Sequence, residues 1–142
     1  MTAKTANKKV PLTKEQAAHV ANFRKQFPFE KCKDNIELMF CGYLGSTHSK
    51  SNFENSNLYW FTTKLTDSLN TLHRTGQIPS EFFEIAGTDG AAAELKKLFN
   101  GFSFSPINDD LAPRHCGDIF EFNKALIDLV INVGPAYNKL KS

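Results

Sequence analysis

His115, Cys116 and Asp118 lie within one four-residue stretch and form the chain's densest group of side chains able to do chemistry. A thiol paired with an imidazole is a nucleophile with its base. Sequence neighbours rarely align for that transfer, so His48 or His73 is the better base for Cys116. Imidazole, thiolate and carboxylate are also zinc ligands. Neither arrangement has a recognised spacing, and four His with three Cys yield such groupings by chance. The plainer reading takes 100–117, with Pro106 and Pro113, as a long irregular loop before the last helix. Phe102, Phe104, Ile107 and Leu111 would press it over the end of the domain as a lid. Connections of that length tend to be functional. A small enzyme or ligand-binding protein, with a site under this loop using Cys116 and a histidine, is therefore the alternative function.

Gly87-Thr88-Asp89-Gly90 precedes a helical pattern, and glycines ahead of a helix can cradle an anion. The Lys of a P-loop is missing, and Asp89 has the wrong charge to meet phosphate. A turn capped by Thr88 or Asp89 is the simpler assignment. No cofactor, catalytic residue or metal ligand is assigned from these motifs.

Charge is distributed unevenly. Residues 1–33 hold eight Lys/Arg against two acids, a net of +6, while residues 34–142 hold nine against thirteen, a net of −4. A basic front end on a mildly acidic body points to an anionic partner, whether nucleic acid or an acidic protein surface. Lys4, Lys8, Lys9, Lys14, Arg24 and Lys25 are the candidate contacts. Counterion release makes such a cluster a generic phosphate binder, although no nucleic-acid motif accompanies it.

Tyr59 and Trp60 are the remaining candidates. Both fall about 120–140° round a helix from its Leu/Phe stripe, so one core cannot take every face. Exposed Tyr and Trp are common interface anchors. The competing expectation, which the pattern favours, buries both rings in a helix that packs on two sides.

The elements that position these residues are helical. Thirteen Phe and thirteen Leu against four Val supply the core and argue against a sheet. Residues 1–11 form a basic arm, and 12–142 a single helical domain. Thr13 and Gln16 have capping-box spacing, and Pro28 stops the helix they open. A second helix fits about 30–44. A third, capped by Ser51 and Glu54, runs through Leu58, Phe61, Leu65, Leu69 and Leu72 to Gly76. A short helix opened by Ser80 follows. Another runs from about Asp89 to Phe99, with Asn100-Gly101 as its cap. The last starts near Asp118, and Gly134-Pro135 ends or kinks it. Its two apolar sets, one running from Ile119 to Tyr137 and the other Phe120, Ile127 and Ile131, span an arc expected of a bundle's central helix.

The expected fold is thus an all-α, single-domain bundle of about five helices. Cys32 and Cys41, on one helix, would face opposite ways about 13 Å apart, beyond the ~7 Å reach of a disulfide, so the thiols read as free. No stretch approaches the ~20 apolar residues of a membrane span. The basic start lacks a secretory h-region, and a mitochondrial leader is disfavoured by the absence of Arg before Arg24. The expectation is a cytoplasmic, non-enzymatic binding or assembly module, with a protein partner or self-assembly, possible nucleic acid and no membrane.

Overall fold

The computed structural model describes residues 11–46, 52–86, 90–106 and 113–136. All the elements it contains are helices: α1 (Lys14–Gln26), α2 (Phe29–Leu44), α3 (Asn52–Thr75), α4 (Ser80–Ala86), α5 (Ala91–Ser103) and α6 (Pro113–Val133). The chain is an all-α bundle, and no helix is long and apolar enough to cross a membrane among the described residues.

Local chemistry explains most boundaries. At α1 the Thr13 hydroxyl accepts from the Gln16 amide at 3.0 Å, and the Gln16 carboxamide accepts from the Thr13 amide at 2.9 Å. That reciprocal pair satisfies two of the amides a helix start leaves open. Pro28 holds Phe27 in extended backbone and serves as the N-cap of α2, so the two helices turn a tight corner. Gly76 adopts the left-handed conformation (φ +78°), and its amide donates to the Leu72 carbonyl at 2.7 Å, closing α3. Ser51, the expected cap of α3, lies outside the described residues, as do Thr88, Asp89, Lys4, Lys8, Lys9 and His48.

α2 packs between α3 and α5, α1 lies along α6, and α4 fills the space between α3, α5 and α6. Val20, Phe23, Ile36, Met39, Leu65, Leu69, Phe82, Phe83, Leu95, Phe122 and Leu126 belong to one continuous core. The Phe23, Phe27 and Phe122 rings, 5.3–6.1 Å apart, join α1 to α6. Tilted and edge-on pairs of this kind add about 0.5–1.5 kcal/mol each beyond area burial.

Three expectations are revised. α5 continues through Asn100-Gly101 to Ser103, and Gly101 is not a cap but a notch. A Cβ there would stand 2.5 Å from Tyr43 Cδ2 and 3.0 Å from Tyr43 Cα, so only glycine admits the crossing of α2 over α5. Gly42 of α2 faces Phe102 of α5 in the same manner, its notional Cβ 2.8 Å from Phe102 Cδ1. Second, α6 begins at Pro113 rather than near Asp118. Proline suits a first helical turn, where no intrahelical partner awaits its missing N–H. The stretch between α5 and α6 is shorter at both ends than expected, and Arg114, His115 and Cys116 belong to the first turn of α6. Third, α6 is not enclosed: Phe120 is 49% and Ile131 55% exposed.

Candidate protein interface

The site residues divide by element. α1 carries Lys14, Arg24 and Lys25 on its exposed side, while Val20 and Phe23 face inward. Arg24 is already engaged. Its Nη2 donates to the His73 carbonyl at 2.8 Å, at the end of α3, where the helix dipole favours a cation. The guanidinium also lies against Gly76. Together with Pro11, Leu12, Val20 and Ile78, Arg24 walls a cavity of about 630 Å³ between α1 and the α3–α4 corner.

His73, proposed above as a base, is used structurally. Its Nδ1 lies 2.8 Å from the Leu69 carbonyl and its Nε2 2.6 Å from the Phe27 carbonyl. The ring thereby links the α1–α2 corner to α3. His115 is exposed beside half-buried Cys116, and both sit on one helical turn, which holds neighbouring side chains apart. Among the described residues, no three His, Cys, Asp or Glu side chains converge as metal ligands. Phe104, expected under a lid, is 72% exposed. Phe102 is buried, though as part of α5, and Ile107 and Leu111 lie outside the described residues.

Tyr59 and Trp60 stand differently. They are 61% and 53% exposed, so the enclosed position favoured by the helix pattern is overturned. Leu58, the preceding residue, is buried, which turns the two rings outward. The Tyr59 ring meets Phe40 of α2 at 5.9 Å, and both border a shallow groove between α2 and α3. The charged side chains lining that groove are Glu37 and Asp67. Lys64, one turn from Trp60, is engaged with Glu81 at 3.5 Å.

A second apolar groove, absent from the sequence-based candidates, runs between α5 and α6. Phe99, Phe120, Ile127 and Ile131 form its walls, and its volume is about 390 Å³. The Phe99 and Phe120 rings are 5.5 Å apart. Its charged lining is Lys96, Lys124 and Asp128. The signal was present in the wide apolar arc of α6, which reads equally as a buried face.

Comparison with protein-family models, curated proteins and solved structures finds no match to this chain.

Proposed function

We propose that this domain is a non-enzymatic binding or assembly module. Tyr59 and Trp60 are its protein interface, and its basic N-terminal region contacts an anionic partner. The observation that supports the reading best is the outward stand of Tyr59, beside Phe40, and of Trp60 next to it in sequence. Amphipathic rings of this kind contribute large contact area with few torsions to freeze, which is why they anchor interfaces. The sequence adds the net charge of +6 in residues 1–33. Lys14 and Lys25 are exposed and add to it from α1, whereas Arg24 is shared with the end of α3.

The test is a salt series with generic duplex DNA, generic RNA and poly-glutamate, comparing the full chain with one lacking residues 1–11. Binding to one of these polymers that weakens steeply with salt and shrinks on truncation is expected. A chain that binds none of the three at low salt, and that stays strictly monomeric, would sink the reading.

A further inference from the structure

Two apolar grooves open on different helix pairs of this bundle, and their charges are opposite. The α2–α3 groove is bordered by the exposed Tyr59, whose sequence neighbour Trp60 is also exposed, and is lined by the carboxylates of Glu37 and Asp67. The α5–α6 groove has exposed Phe120 and Ile131 on its walls and the ammonium groups of Lys96 and Lys124 in its lining, with Asp128 as the one acid. Among the described residues, the ion pair formed is Lys64–Glu81, so none of these five charges is paired with another described side chain. We infer that the α2–α3 aromatic face of one copy docks in the α5–α6 groove of a second copy. The inference rests on the interface role proposed for Tyr59 and Trp60 and names their partner.

The physical case has three parts. Exposed aromatic and aliphatic side chains on both faces lose water together on contact, the main source of association energy. Glu37 and Asp67 meet Lys96 and Lys124 at the rim, where opposite charge sets orientation and encounter rate more than affinity. Because the two faces are unlike, the contact is heterologous: each docked pair leaves one face of each kind open, and association continues into a ring or an open chain. Such growth depends steeply on protein concentration and, through its rim charges, on salt.

Sedimentation velocity of the full chain across a concentration series at low salt tests it. The wild type is expected to form species larger than dimers, which shrink as salt is raised. Lys96→Glu with Lys124→Glu, or Glu37→Lys with Asp67→Lys, is expected to weaken association at least tenfold. All four side chains are exposed, so neither pair should disturb folding, which urea denaturation of each variant checks. An equimolar mixture of the two double variants again offers opposite charges at both contacts and is expected to recover association. Wild type that remains monomeric, variants that associate like wild type, or a mixture no better than its components would each overturn the inference. Neither variant alters residues 1–33. Polymer binding by a strictly monomeric chain would therefore defeat self-docking while leaving the anionic-partner reading intact.

Discussion

Tyr43 lies across Gly101 so closely that the backbones of α2 and α5 touch where any larger residue would hold them apart. Gly42 and Phe102 repeat the arrangement in reverse, giving the crossing two notches and two rings to fill them. Gly101→Ala should therefore lower stability by about 1–3 kcal/mol, the usual cost of overpacking, despite the ~1 kcal/mol gain in helix propensity. Gly42→Ala should cost somewhat less, because its nearest obstacle, Phe102 Cδ1, stands 2.8 Å away rather than the 2.5 Å of Tyr43 Cδ2 from Gly101. Gly117→Ala, with nothing within 4 Å of its notional Cβ, should be neutral or stabilising. Urea denaturation of the three variants ranks them, and a Gly101→Ala protein as stable as Gly117→Ala would contradict the packing.

Trp60 and Leu58 make a contrast on one helix. Trp60→Ser should change stability by no more than about 0.5 kcal/mol, as exposed substitutions do, whereas Leu58→Ala should cost about 2–5 kcal/mol. As the sole tryptophan, Trp60 should also be quenched by iodide in the native protein. Shielding of Trp60 at low concentration would show that its ring is covered within the monomer.

Burial pushes the Cys32 thiol up to about 12 from an ordinary 9.0, its backbone hydrogen bond opposing part of that shift. The thiol faces the Phe27 carbonyl at 3.5 Å. Unfolding frees it to ionise near 9, so between about pH 9 and 12 the native state holds a proton that the unfolded state has released. Stability should fall across that window by up to roughly 1.4 kcal/mol per pH unit from this group. Cys32→Ala should show a shallower alkaline decline in pH-dependent denaturation, and parallel curves would remove the thiol from the account.

Native thiol labelling should separate the three cysteines. Cys41 is exposed and should react first, Cys116 more slowly, and Cys32 only on unfolding. Labelling of Cys32 in the native protein at the rate of Cys41 would place it outside the core.

Arg24→Ala removes the cation at the end of α3 and should cost about 0.5–2 kcal/mol. Amide hydrogen exchange should quicken at Thr75 and Gly76 ahead of the rest of α3. Uniform acceleration would mean that the side chain supports the whole fold rather than that helix end.

Features decided locally were legible in the sequence. The Thr13–Gln16 box, the Pro28 corner and the left-handed Gly76 stop depend on residues within a turn of one another. Gly101 and Pro113 were misread because the same residue types serve two purposes. A glycine after Asn ends one helix and lets another be crossed closely, and only the position of Tyr43 decides which. A proline breaks a helix interior yet opens a first turn, and neighbouring residues do not distinguish the two. For Tyr59, Trp60, Phe120 and Ile131 the sequence showed apolar arcs too wide for one contact. Whether a second neighbour covers such an arc is a property of the whole bundle, and here none of the described helices does.

The docking of α1 on α6 has a consequence for synthesis. Gln16 donates to the Asn132 carbonyl at 3.0 Å, and Phe23 rests on Phe122, so the first of the described helices is completed by the last of them. During translation Phe23 lacks its Phe122 neighbour until α6 leaves the ribosome, although Arg24 and the Phe27 carbonyl can already meet the end of α3. Until then the growing chain holds the narrow apolar side of α1, Val20 and Phe23, partly uncovered within its most basic segment.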